Sequence, residues 1–181
     1  MKRKEIIGGI IVLFLVTSLC GFLLAEVYKA TSPKIEKQKR LEEEKLNKEI
    51  FPEGEKFEKV KKGDVEYFVV YDKKKRKIGR IYTIKSLGYG GYIYLKVGID
   101  NNFKIKGVKI LQHNETPGLG AKITEDKFLN QFKNIGIENL YLKKDNPKGK
   151  IDSITGATIS SRAVVNGIRK LMEKIKNEKI D

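Results

Sequence analysis

The chain has 181 residues, with 38 Lys and Arg against 23 Asp and Glu, one Cys, one His and no Trp. Its hydrophobic content of 40% lies below the usual ~45–50%, and its charged content of 34% lies above the usual ~25%. A single cysteine excludes an intrachain disulfide framework and a thiolate-ligated zinc or iron–sulfur site, and a single histidine excludes a two-His metal site. Redox or metal chemistry would therefore arrive on a cofactor held in some other way.

The early apolar residues form one block, Ile6 to Ala25, with no charged residue in it. At about 1.5 Å per helical residue this run matches the roughly 30 Å hydrocarbon core of a bilayer. A cleaved secretory signal has a shorter apolar region, about 7–15 residues, before a small-x-small site. The segment that follows, AEVYKATS, offers no such site. Cys20 is not a lipoprotein cysteine, because Leu19 precedes it and the apolar run continues past it. The block reads as an uncleaved anchor over 6–25. Lys2, Arg3 and Lys4 stand directly before it, which keeps residues 1–5 in the cytoplasm and puts residues 26–181 outside. That outer part holds 35 basic and 22 acidic residues, a net +13. Such a charge suits anionic lipid or an acidic partner. The run KKKRK at 73–77 carries no interleaved aromatics and falls at an expected hairpin turn, so nucleic acid is not among the partners read here.

Residues 31–50 read as a polar helix, with Ser32 at its N-cap and Pro33 at the first helical position. Its apolar residues are sparse, and Pro52 and Gly54 end it, so 26–56 is expected to be a stalk. Strands are expected at 65–72, 78–86, 92–100 and 103–111, rich in Val, Ile, Tyr and Phe and paired as hairpins. The glycine-rich Leu87–Gly91 separates the two hairpins. Alternation is imperfect over 103–111, which fits two buried faces or a bulge at Gly107. A short helix is expected over 124–132, capped by Thr124, and a longer one from Ile159 to about Lys176, with Val164, Val165, Ile168, Leu171, Met172 and Ile175 at helical spacing. Strands flanked by helices make residues 57–181 an α+β domain with an antiparallel or mixed sheet.

Packing does not account for two segments. Asp152-Ser-Ile-Thr-Gly-Ala-Thr158 leads into the last helix with small and hydroxylated residues, including Thr155, Gly156, Ala157 and Thr158, followed by Ser160. Free N–H groups and the helix dipole make such a start suited to a phosphate, and an ordinary N-cap reads the same way. The second segment, Gln112 to Ala121, places Glu115, Thr116, Pro117, Gly118, Leu119 and Gly120 after a strand. This loop can lay flat backbone and Leu119 along a planar ligand, with Glu115 and Thr116 supplying hydrogen bonds. A long turn between strand and helix is the plainer reading.

Asp152-Ser153-Ile154-Thr155-Gly156-Ala157-Thr158 matches the D-x-x-[ST]-G-A-T signature of proteins that carry FMN on a threonine. The stretch LGYGGYIYLKVGID…IKGVKILQHNETPGLGAKI resembles the FMN-binding domain of the G subunit of Rnf, an ion-translocating ferredoxin:NAD+ oxidoreductase. That family shares its architecture with the C subunit of the sodium-pumping NADH:quinone oxidoreductase. The likeness covers the anchor and roughly residues 57–175. The resemblance implies FMN bonded through its phosphate to Thr158, with Asp152, Thr155, Gly156 and Ala157 forming the sequence that a flavin transferase reads. It implies a membrane-anchored electron carrier working with the other membrane and redox subunits of the complex, and no set of catalytic acid, base or nucleophile. Glu115 to Gly120 and Leu87–Gly91 are the expected ring-packing segments. The rival readings are a C-type quinone-reductase subunit, a stand-alone anchored flavodomain, and a non-redox binding or sensor module.

Overall fold

From Val65 to Gln112 the β-branched and aromatic runs fold into a meander of antiparallel strands in the structure, a computed structural model that describes residues 3–62 and 65–178. The chain divides into two compact units, Met1–Glu44 and Lys45–Asp181.

The first unit is built from helix α1, Arg3–Ile50, whose end from Lys45 onward belongs to the second. Its apolar side chains, among them Ile10, Leu13, Phe14, Leu19 and Leu24, are exposed along its length, and the helix is long and apolar enough to cross a membrane. Thr17 and Thr31 return their hydroxyls to the carbonyls of Leu13 and Val27 at 2.9 and 2.7 Å. The Thr17 hydroxyl, inside the apolar run, thus needs no water, which suits hydrocarbon surroundings. Lys2 of the basic cluster lies outside the described residues, as do the side chains of Arg3 and Lys4.

The expected break at Ser32 and Pro33 does not occur, and α1 runs through both. Pro33 lacks the N–H that would reach the carbonyl four residues back, but its fixed φ is helical. The Lys, Glu, Gln, Leu and Arg that follow are strong helix formers and carry the helix on. Ser32 is thus a helix-interior residue and not a cap.

In the second unit the strands are β1 Lys56–Lys62, β2 Val65–Tyr71, β3 Lys77–Leu87, β4 Tyr92–Asp100 and β5 Ile105–Gln112, side by side in that order and antiparallel throughout. The sequence pattern does not announce β1, since only Phe57 and Val60 in it are apolar. It is an edge strand, largely exposed, and pairing with β2 rather than its own pattern defines it. Beside Gly107 the register slips: Gly98 faces Gly107 while Ile99 faces Ile105, leaving Lys106 as the extra residue.

Both sheet faces are covered. Helix α3, Thr158–Glu178, lays Val164, Val165, Ile168, Leu171, Met172 and Ile175 on one face, over Ile93, Leu95, Val97 and Ile99. Each such side chain, fully buried, stabilises by about 1.5–3 kcal/mol, so the helix start is held firmly. Ile50 and Phe51 cover the other face with Val70 and Ile81. There Lys96 donates to Asn47 Oδ1 at 2.8 Å, both residues buried, and Glu49 and Glu53 pair with Lys109 and Lys106, each at 2.8 Å.

The helix expected over 124–132 is broken into shorter pieces. A 3₁₀ turn occupies Gly120–Thr124, helix α2 covers only Asp126–Leu129, and a second 3₁₀ turn follows at Asn130–Phe132. Thr124 does not cap α2. Its hydroxyl bonds back to the Ala121 carbonyl at 2.9 Å, closing the turn it already belongs to, and Glu125 stands at the cap position without a side-chain bond.

Candidate functional site

Two β-turns of the same design face each other beside the start of α3. In the first, the Leu119 N–H reaches the Thr116 carbonyl at 3.2 Å, with Pro117 and Gly118 at the corners and Gly118 at φ 75°. In the second, the Ala157 N–H reaches the Ile154 carbonyl at 3.0 Å, with Thr155 and Gly156 at the corners and Gly156 at φ 77°. Positive φ at the third residue is the demand that glycine meets without strain. A Cβ on Gly156 would stand 3.1 Å from Leu119 Cδ2, so the turns touch.

Glu115 fixes the walls. Its carboxylate is buried, accepts the Gly90 N–H at 3.1 Å, and accepts the hydroxyl of Ser160 in the first turn of α3. Its own N–H donates to His113 Nδ1 at 3.2 Å. Ser161, also buried, donates to the Ala157 carbonyl at 2.9 Å and accepts the Ile154 N–H at 3.0 Å, locking the second turn to the helix.

These elements enclose a cavity of about 630 Å³. Tyr89, Glu115, Thr116, Leu119 and Gly120 line one side, and Gly156 to Ser160 the other. Leu119, Ile159 and Tyr89 are 46%, 52% and 72% exposed, an apolar rim that water alone does not explain. Thr158 is the first residue of α3, and its Oγ1 accepts a hydrogen bond from Lys144 Nζ. A rim of this kind beside a hydroxyl and the free N–H groups of a 21-residue helix fits a flat apolar ligand with an anionic end.

The sequence-predicted residues separate into three groups. Glu115, Thr116, Leu119, Gly120, Gly156, Ala157, Thr158 and Ser160 line the cavity. Ser160 spends its hydroxyl on Glu115, whose two carboxylate oxygens are taken by Ser160 and the Gly90 N–H. Pro117 and Gly118 shape the turn and lie at the exposed surface. Asp152 and Thr155 line a different groove, with Lys122, Lys127 and Gln131, and Asp152 pairs with Lys143 at 2.7 Å. Sequence reasoning missed Ile159 and Lys144. Ile159 carried a signal, being apolar but off the stripe that α3 buries. Lys144, one lysine among many in its segment, carried none.

Residues 88–173 match the FMN-binding domain family. The G subunit of an ion-translocating oxidoreductase complex from Methanosarcina acetivorans is 31% identical, with 95% of each chain covered. The G subunit of a proton-translocating ferredoxin:NAD(+) oxidoreductase complex from Clostridium ljungdahlii is 35% identical over 87% of this chain and 84% of that one. The chain belongs to the G-subunit family of ion-translocating oxidoreductase complexes. This G-subunit fold is also that of two solved structures. The C subunit of the Na(+)-translocating NADH-quinone reductase from Parabacteroides distasonis has a TM-score of 0.54 and 23% identity, covering 65% of this chain and 63% of that one. NqrC from Shewanella oneidensis has a TM-score of 0.52 and 22% identity, covering 71% and 74%.

Proposed function

We propose that this G-family chain carries FMN bonded through its phosphate to Thr158 Oγ1 and serves as the membrane-anchored electron carrier of an Rnf-type complex that moves electrons between ferredoxin and NAD. The observation that carries this reading is the position of Thr158: the first residue of α3, it lines the same cavity as Leu119, Tyr89 and Ile159. Bound FMN would supply reversible uptake and release of electrons, and the protein would supply the phosphate anchor, the apolar rim and the exclusion of water from one ring face. Asp152 and Thr155, exposed on the groove behind the attachment turn, suit reading by a separate flavin transferase. The basic residues Lys2, Arg3 and Lys4 keep the N-terminus cytoplasmic, residues 6–25 span the bilayer, and the flavin domain lies on the extracytoplasmic side, where a covalent bond prevents loss of the cofactor by dilution. Lysines of the outer part face anionic lipid and the complex's other membrane and redox subunits.

The test is the intact mass of the full chain produced with a flavin transferase and FAD. The wild type should gain the mass of FMN less one water, and Thr158→Ala should gain nothing and stay colourless. A full adduct in Thr158→Ala would overturn the site, and an unmodified wild type would overturn covalent attachment. Co-purification with the complex's other subunits tests the placement in Rnf.

A further inference from the structure

Lys144 lies outside the signature that carries Thr158, yet its ammonium rests on the Thr158 hydroxyl. Two consecutive residues of the 142–149 loop meet two residues one turn apart on α3. Lys144 meets Thr158, and Asp145 meets Arg162 through two hydrogen bonds of 2.7 Å each. Thr158 and Arg162 stand at i and i+4, on one face of the helix. The Asp145–Arg162 fork therefore sets the loop's register on the helix, and that register puts Lys144 at Thr158. The preceding lysine, Lys143, pairs with Asp152 at 2.7 Å, so the two neighbouring lysines have separate partners.

We infer that Lys144 assists the attachment of FMN at Thr158 and then holds the attached phosphate. The inference rests on the covalent reading above. Lysine is a donor only, so the Thr158 oxygen accepts and its own proton stays available for removal. In the transfer, Thr158 Oγ1 forms a bond to the flavin-side phosphorus of FAD, the pyrophosphate P–O bond breaks, AMP leaves with the bonding pair, and the hydroxyl proton passes to a base of the transferase or to solvent. No electron is exchanged. Negative charge builds on the non-bridging phosphoryl oxygens and on the departing oxygen of AMP, and an ammonium held beside the reacting phosphorus is worth most once the docked transferase excludes water. After transfer the phosphodiester carries one negative charge next to one ammonium and the α3 N–H groups.

The experiment follows attachment over time by intact mass, using the full chain, FAD and the flavin transferase. Lys144→Met should slow attachment by roughly tenfold or more, the scale of losing one charge-stabilising donor in a transfer step. Lys144→Arg should recover most of the rate, and Lys148→Met, which removes a charge from the same loop away from Thr158, should match the wild type. Asp145→Asn, which loosens the register and keeps the lysine, should fall between. Equal rates for Lys144→Met and the wild type would overturn the role of Lys144 while leaving the Thr158 site standing. Failure of Lys144→Arg to recover the rate, with thermal unfolding unchanged, would also overturn it. No adduct in the wild type would instead remove the covalent reading itself.

Discussion

Ser160 donates its hydroxyl to one oxygen of Glu115, and the other oxygen of the same carboxylate accepts the N–H of Gly90. Ser160 belongs to α3, Glu115 to the loop after β5, and Gly90 to the turn between β3 and β4. One buried side chain thus ties three separate segments around the cavity. Burial of a carboxylate costs several kcal/mol unless its oxygens are bonded, so these partners are a condition of the wall and not an ornament of it.

Removing either partner should therefore show in stability. Ser160→Ala leaves a buried carboxylate oxygen short of a donor, and a loss of about 1–3 kcal/mol is expected. Thermal and denaturant unfolding of the full chain in detergent reads it. Glu115→Ala should cost at least as much, because it strands both the Gly90 N–H and the Ser160 hydroxyl. Unfolding midpoints within error of the wild type would mean that the bond does not hold the wall.

Much of this architecture was legible in the residues. The apolar stripe of α3 follows from periodicity, because burial on one face demands it, and strands β2 to β5 follow from their runs of Val, Ile, Tyr and Phe. Pro117-Gly118 announced a turn, since glycine at the third position answers a positive φ, whereas Thr155-Gly156 read only as a helix start and its turn emerges in the structure. What stayed hidden lies in pairings between distant segments. β1 owes its existence to β2, and nothing in its own pattern of exposed lysines requires a strand. Lys144 is chosen by the Asp145–Arg162 fork, a contact between a loop and a helix that no local spacing encodes. The separate helix start expected at Ser32 and Pro33 failed for the opposite reason, since local capping and proline chemistry was outweighed by strong helix formers on its far side.

The apolar rim gives a spectroscopic prediction. Leu119 and Tyr89 are half to largely exposed and line the same cavity as Thr158. Leu119→Ser and Tyr89→Ala should leave attachment intact by mass and shift the flavin's absorption maxima and midpoint potential, because the ring would face more water. Both should leave the unfolding midpoint nearly unchanged, since neither side chain is in the core. Identical spectra and potentials across the two variants and the wild type would place the ring elsewhere.

The two turns offer a matched pair. Gly118 and Gly156 share nearly the same φ, 75° and 77°, but a Cβ on Gly118 meets nothing within 4 Å, whereas one on Gly156 meets Leu119 Cδ2 at 3.1 Å. Alanine at either site carries left-handed strain of about 1–2 kcal/mol. Gly118→Ala should lose that stability with attachment preserved. Gly156→Ala should lose as much and also slow attachment, because its methyl displaces Leu119 and shifts the turn that presents Thr158. Equal attachment rates in the two variants would show that the turn tolerates the added methyl.

Acid should release the 142–149 loop from α3. The Arg162 guanidinium hydrogen-bonds the Asp145 carboxylate and holds its pKa below the ordinary aspartate range, against an opposing effect of desolvation. A carboxyl whose folded pKa lies below its unfolded value of about 3.9 contributes stability above that value, and the contribution disappears as pH falls through the lowered folded pKa. The loop's backbone bonds, Lys143 N–H to the Ile151 carbonyl at 2.9 Å and Asn146 N–H to the Leu142 carbonyl at 3.1 Å, report its docking. Hydrogen exchange at those amides, corrected for the intrinsic rate, should rise on acidification before exchange rises in β4. In Asp145→Asn the same amides should be less protected at neutral pH, and the acid-dependent step should be missing. An acid step of the same size in Asp145→Asn would assign it to another carboxylate and detach the loop's docking from the Asp145–Arg162 pair.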